Sequence, residues 1–253
     1  MIRSWSYSRL AVFEQCKFRA KLQFIDRVPE PERPLPQGKT EHANDRGTRI
    51  HEACEAFVRG TGPMPVEAGK HFADELNSLR TAFESGIVSL EGEWGFDREW
   101  NPCDYNAKEV WCRIKGDAVV WRSPSHAVVI DYKTGKKFGN EVKHAEQVQL
   151  YALAVLLRFP KVETVTVELW YFDQDDLTGL TLTRPKWMHH LRSFTRRGMA
   201  VTSATEFPPN PTIFTCAYCP YKSSGTGHCS VGIERQGNAL QSVYARKNAS
   251  TRA

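Results

Sequence analysis

Asp117, Asp131 and Lys133 are the residues whose types and spacing most clearly suggest chemistry in this 253-residue chain. Gly116-Asp117 precedes Ile130-Asp131-Tyr132-Lys133-Thr134-Gly135. Asp131 and Lys133 stand two apart in a run of strand-forming residues, so their side chains project from one face. Asp117 lies near the start of the preceding apolar segment, and a hairpin would bring both carboxylates to one point. Two carboxylates beside an amine make a hard-oxygen site suited to Mg²⁺ or Mn²⁺. Such a cation polarises a phosphoryl oxygen and activates water, while the lysine adds positive charge beside the phosphate. That is the equipment for phosphodiester hydrolysis. An Asp and a Lys at strand spacing also occur on ordinary solvated sheet faces. Here, however, Val128, Val129 and Ile130 lead straight into Asp131, and a charge ending an apolar strand is costly unless exposed or used.

A second cluster is Cys216-Ala-Tyr-Cys219 followed by Cys229. The spacing admits zinc, iron–sulfur or redox roles, and no βαβ pattern surrounds it to favour a thioredoxin-like one. A closed metal site needs a fourth ligand, and His228 could serve zinc. The chain has 7 cysteines, and an odd count without a secretion signal argues against a disulfide framework. Cys54, Cys103 and Cys112 have no partner spacing and read as packing residues. For nucleic acid, Arg184, Lys186, Arg192, Arg196 and Arg197 lie among Trp187, His189 and His190. Basic residues mixed with aromatics suit single strands, though a solvated amphipathic helix has the same composition. Lys136 and Lys137 lie just beyond Thr134-Gly135, beside the strand that carries Lys133, and are better placed to touch a phosphate near the metal.

These residues need elements to position them. Periodicity and breakers predict helices over 4–25, with Ser6 and Ser8 as caps, and over 41–59, 67–85, 141–158 and 184–201. Strands are predicted over 110–122, 126–133 and 162–172, the first two forming a hairpin across Ser123-Pro124-Ser125. The prolines of 29–36 mark a loop. The order implies an α/β fold, a mixed central β-sheet flanked by helices. The net charge of +5 permits a polyanionic partner without requiring one. No run of about 18 apolar residues exists and the N-terminus lacks a secretion signal, so a cytoplasmic location is expected.

Gly116-Asp117, then Ile130-Asp131-Tyr132-Lys133-Thr134-Gly135-Lys136, then Gln147-x-x-x-Tyr151 resemble the motif series of the PD-(D/E)XK nuclease superfamily. The nearest likeness is to the RecB-type exonuclease domain, as in AddB and the CRISPR-adaptation nuclease. The resemblance runs from Ser6 to Cys229. It implies a restriction-endonuclease-like core with a helical N-terminal part and a cysteine-held C-terminal segment. It implies His51, in Arg46-Gly47-Thr48-Arg49-Ile50-His51, as a metal ligand with Asp117, Asp131 and the backbone carbonyl of Tyr132. It makes Lys133 the catalytic lysine, with Gln147 and Tyr151 orienting it or the DNA strand. It also calls for a glutamate on the strand before Asp117. Glu91 and Glu93 would share a strand face, and Glu93 is preferred.

In the iron–sulfur subgroup of these nucleases, one N-terminal and three C-terminal cysteines hold a 4Fe–4S cluster. Ser6 through Phe18 resembles the first-cysteine segment, which implies Cys16 with Cys216, Cys219 and Cys229. Zinc stays open, because nine residues separate Cys219 from Cys229. Tying ends some 200 residues apart would constrain the unfolded chain by about 5 kcal/mol on the cross-link entropy account.

The expectation is one nuclease domain over 1–232: a helical part to 87, a catalytic core over 88–201 and a cysteine segment over 202–232, before a flexible tail. It would be a Mg²⁺- or Mn²⁺-dependent DNA exonuclease of recombination, repair or phage DNA processing, acting on single strands or free ends. A bacterial or phage origin is expected. The rivals are a structure-selective or sequence-specific endonuclease and a DNA-binding protein that kept the fold without catalysis.

Overall fold

The computed structural model describes residues 1–234 apart from 33 and 36; from 235 onward the expected tail lies outside the described residues. In chain order the elements are α1 (Tyr7–Gln15), α2 (Lys17–Phe24), α3 (Ala43–Val58), α4 (Val66–Gly69), α5 (Ala73–Glu84), β1 (Val88–Phe96) and β2 (Pro102–Cys103). Then follow β3 (Cys112–Ser123), β4 (His126–Lys133), α6 (Glu141–Arg158), β5 (Thr164–Tyr171), β6 (Asp176–Thr183), α7 (Arg184–Met188) and α8 (Leu191–Thr202). Among the described residues no helix is long and apolar enough to cross a membrane. The chain divides into two compact units, one of residues 3–7 and 35–200, the other of 1–2, 8–34 and 201 onward.

The larger unit is built on a six-stranded sheet of order β2-β1-β3-β4-β5-β6. All neighbours are antiparallel except β4 and β5, which are parallel. The mixed sheet flanked by helices is the architecture the sequence predicted. Parallel neighbours need a crossover, and α6 supplies it with Val148 and every residue from Leu150 to Leu156 buried. Strand β4 is central, and its segment from Ala127 to Tyr132 is buried throughout, as expected of a strand covered on both faces. Alternation divides its side chains. Val128, Ile130 and Tyr132 join Ala118 and Val120 of β3 in a core with Ile50 and Phe57 of α3 and Leu76 of α5. Asp131 and Lys133 therefore face the other way, toward α6.

Three expected helices are interrupted. The 4–25 helix breaks at Cys16, whose backbone is extended (φ −160°, ψ 111°). The 67–85 helix divides into α4 and α5, and the 184–201 helix turns at His189-His190 between α7 and α8. Strand β6 was not anticipated; it is an edge strand with Leu177 and Leu180 about half exposed.

In the smaller unit, α1 and α2 are joined to the segment from 201 onward. Asn210 Nδ2 donates to Gln15 O at 3.0 Å and the Tyr221 hydroxyl to Val28 O at 3.1 Å. Phe13 and Phe207 meet edge to face at 6.4 Å.

Candidate active site

The site begins where β3 and β4 separate. Their ladder ends at Ala118↔Ile130, while β4 stays paired with β5 through Lys133↔Tyr171. Continued by one step, the antiparallel register sets Asp117 opposite Asp131. The Tyr132 N–H, left without a β3 carbonyl, donates instead to Asp117 Oδ2 at 2.7 Å. Asp117 Oδ1 lies 3.0 Å from His51 Nδ1 on α3. On the other flank, the pairs Leu90↔Ala118 and Gly92↔Gly116 put Glu91 opposite Asp117. Glu91, Asp117 and Asp131 thus occupy one row across three strands.

Asp131 is 3% exposed. Burial pushes its carboxyl up to about 6; Lys133 opposes that shift and Asp117 adds to it. Lys133 Nζ stands 2.6 Å from Asp131 Oδ2. This buried oxygen has the ammonium as its partner. The ammonium donates to Gln147 Oε1 at 2.8 Å, and Gln147 Nε2 donates to the Tyr151 hydroxyl at 2.6 Å. Gln147 and Tyr151 sit one turn apart on α6, so one helix face carries the relay. Burial pulls the His51 imidazole down, but the hydrogen bond and charge of Asp117 more than offset this and its pKa is raised.

Sequence reasoning passed over several residues here. His144 lies one turn before Gln147, and its Nδ1 is 3.0 Å from the Tyr171 hydroxyl. Burial, then Lys133 and Lys143, lower its pKa to about 4, so this imidazole is neutral at pH 7. Helical spacing from Gln147 could have flagged it. Asp173 is held by both terminal nitrogens of Arg46 at 2.9 and 2.7 Å and accepts the Gly135 N–H at 2.7 Å. It ties α3 to the turn after Lys133. Gly47 permits that closeness, because a Cβ there would come within 3.3 Å of Thr134 Oγ1.

The preferred Glu93 is exposed and opposes Lys115 in register. Glu91 is half-buried, with Lys115 Nζ at 2.5 Å from its carboxylate. Its φ of +48° breaks the alternation that would have put both glutamates on one face. Burial raises its pKa, against the pull of Lys115.

Of the basic residues, Lys136, Arg192 and Arg196 are exposed. Lys137 is instead engaged by Asp176 and donates to Thr178 Oγ1 at 2.9 Å. Trp187 is fully buried with its Nε1 donating to Val165 O at 3.0 Å, which removes it as an exposed stacking surface. Arg184 is spent on the carbonyls of Leu156 in the last turn of α6 and of Phe159, Pro160 and Val162 beyond it, and Arg197 on Glu146.

Asp131 Oδ2, buried against the Lys133 ammonium and beside a second carboxylate, suits a divalent cation in donor type. Among the described residues, though, no three His, Cys, Asp or Glu side chains are gathered tightly enough to hold a metal as they stand. Asp117 spends its oxygens on His51 and Tyr132, and these contacts would have to yield.

In the smaller unit Cys16, Cys216, Cys219 and Cys229 line one recess with Leu22 and Tyr221. All are free thiols. Burial raises the Cys229 thiol, and the sulfurs of Cys219, Cys16 and Cys216 add to the shift. Asn210 N–H points to Cys16 Sγ at 3.4 Å. Cys54 and Cys112 are buried in the larger unit, as packing residues should be.

A sequence profile of the PD-(D/E)XK nuclease superfamily matches residues 4–100 and 92–224. No curated protein matches by sequence. Among solved structures, a candidate exonuclease from Eubacterium rectale aligns with a TM-score of 0.51 at 10% identity, covering 94% of this chain and 91% of its own. An alkaline exonuclease from Laribacter hongkongensis aligns at 0.32 and 12% identity, over 80% of this chain and 89% of its own. A phage-related exonuclease from Haemophilus somnus aligns at 0.30 and 10%, over 79% and 93%. At these identities the likeness concerns the fold, and only the first score is high enough to speak to it.

Proposed function

Because this chain belongs to the PD-(D/E)XK nuclease superfamily, we propose that it is a divalent-metal-dependent DNA exonuclease acting on single strands or free ends. The observation that carries the reading is the relay Tyr151–Gln147–Lys133 ending on buried Asp131. A lysine held between a glutamine oxygen and a carboxylate has its ammonium aimed and its charge confined. That orders a group to stabilise developing charge on a phosphate before substrate arrives. A bound Mg²⁺ or Mn²⁺ would polarise the scissile phosphate and supply hydroxide at neutral pH. Asp117, Asp131, His51 and the Tyr132 carbonyl are its proposed ligands. Glu91, opposite Asp117, replaces Glu93 as the glutamate of the set. Lys133 stabilises the transition-state charge, and Gln147 and Tyr151 hold it in place.

The same reading assigns Cys16, Cys216, Cys219 and Cys229 to a 4Fe–4S cluster of the RecB-type branch, with zinc as the alternative. What supports it is that all four cysteines line one recess. The assigned role is structural. Recombination, repair or phage DNA processing is the proposed setting.

The test is digestion of circular and linear DNA of the same sequence with Mg²⁺, Mn²⁺ or chelator. Loss of linear DNA alone, only with metal, is expected. Nicking of the circle would establish the endonuclease rival, and binding without digestion the non-catalytic one.

A further inference from the structure

Five residues beyond Lys133, Phe138 is 80% exposed, and Val142, one turn further, is 77% exposed. Large apolar side chains held so far into water next to a reaction centre are unusual, and the backbone around Phe138 holds it there. Asn140 N donates to Lys137 O at 3.0 Å, closing a turn over residues 137–140. Gly139, in the third position, has φ +86°, which a type II turn requires and glycine provides. Phe138 sits at the second position, at the crest.

The turn is fastened on both sides. Before it, Gly135 N–H is bound by Asp173, and Lys137 is held by Asp176 and Thr178. After it, Asn140 Nδ2 donates to Lys136 O at 3.0 Å and Gly139 N–H to Glu141 Oε2 at 2.7 Å. Phe138 is therefore presented by an ordered platform, with the exposed cation of Lys136 two residues away. Five residues of chain span at most ~18 Å, so the ring lies within a few nucleotides of a phosphate at Lys133.

We propose that Phe138, backed by Val142 and Lys136, forms a stacking site for an unpaired nucleobase beside the scissile phosphate, and that it selects unpaired DNA ends over duplex. The inference rests on the nuclease reading. An aromatic face stacks on any base, which suits an enzyme without sequence preference, while Lys136 answers the adjoining phosphate. Within a duplex the base faces are already stacked and only the outer face of a terminal pair stays open, so the ring gains less there than on an unpaired strand, where it can stack on successive bases.

The test is binding in Ca²⁺ buffer to single-stranded oligonucleotides carrying 2-aminopurine at successive positions from the end, with blunt duplex of the same sequence alongside. Wild-type protein should quench the probe at one or two positions. Phe138→Ala should abolish that quenching and weaken single-strand binding roughly five- to hundred-fold, as loss of one stacked base does, while weakening duplex binding less and leaving Tm unchanged. Phe138→Trp should restore both signals. Unaltered quenching in Phe138→Ala, or equal weakening for single strand and duplex, would overturn the proposal. Digestion by the same variants separates this outcome from the parent reading. Lost quenching without lost hydrolysis bears on Phe138, whereas DNA left intact by wild-type protein bears on the nuclease.

Discussion

Two places in this chain gather metal-type ligands, and they are organised in opposite ways. Around Asp117 and Asp131 nearly every charged atom is already engaged: by His51, by the Tyr132 amide, or by Lys133 and its Gln147–Tyr151 support. The four thiols of the cysteine recess carry few contacts, Asn210 N–H at Cys16 and the Thr215 hydroxyl at Cys216, in a wall that mixes Leu22 and Tyr221 with Arg19 and Lys222. The first place rests on a sheet whose register sets Asp117 opposite Asp131, and the Asp117 contacts with His51 and Tyr132 must yield for a cation to bind. The second joins segments distant in sequence, and a bound group would be a principal tie between them. Removing a group from the first should therefore abolish chemistry and spare the fold. Removing one from the second should do the reverse.

The largest effect expected is on hydrolysis. Lys133→Ala should lower it about 1,000-fold, the scale of losing one charge-stabilising donor, with Mn²⁺ binding and Tm nearly retained; a matching fall in Tm would erase the contrast between the two places. Cys16→Ser should remove bound iron or zinc, read by elemental analysis, and lower Tm on the order of 10 °C, with Cys54→Ser as the comparison that keeps the metal. Metal content unchanged in Cys16→Ser would take that residue out of the recess's ligand set. Gln147→Leu should cost roughly 10- to 100-fold in rate, as a group that orients a reactive one does, with the effect in kcat rather than KM.

The pH response sharpens the comparison further. Burial holds Asp131 near 6, and Asp117 raises His51 above its ordinary 6.5. Both bind protons more tightly in the fold than in the open chain, and a cation must displace those protons. Stabilisation by Mn²⁺ should thus be full near pH 8 and shrink as pH falls through 6, by differential scanning fluorimetry. For the metal-free protein the ionised Asp131 is a burden present above about 6 and relieved as pH falls toward 3.8, whereas the His51–Asp117 pair helps below 6.5 and fades as pH rises. The smallest effect is at the surface. Arg192→Ala and Arg196→Ala should each weaken DNA binding a few-fold and reduce the salt slope by about 0.7 on a single strand.

Much of this was legible beforehand, for identifiable reasons. Strand β4 and helix α6 were read to their observed ends, because both are long apolar runs bounded by turn residues and charge. The motif series implied that Gln147 orients Lys133 or the DNA strand, and in the fold Lys133 donates to Gln147. Strand β6 was missed because its Leu177 and Leu180 are half exposed and Gly179 interrupts the alternation. The break at Cys16 carries no Gly or Pro to announce it. Alternation was assumed for Glu91 and Glu93, which would have put both on one strand face; nothing local in the sequence marks Glu91 as left-handed. Trp187 looked like a surface aromatic among arginines, yet burial and one hydrogen bond to β5 claim it for the core.

The central claim is that Asp117 and Asp131, brought opposite each other where two strands part, hold the cation that Lys133 works beside. Titration of free Mn²⁺ by its paramagnetic resonance signal tests it directly, in wild-type protein and in Asp117→Asn and Asp131→Asn. Tight binding is expected in wild type, with loss in both variants and loss of DNA hydrolysis alongside it. Variants that bind Mn²⁺ and digest DNA as wild type does would contradict it.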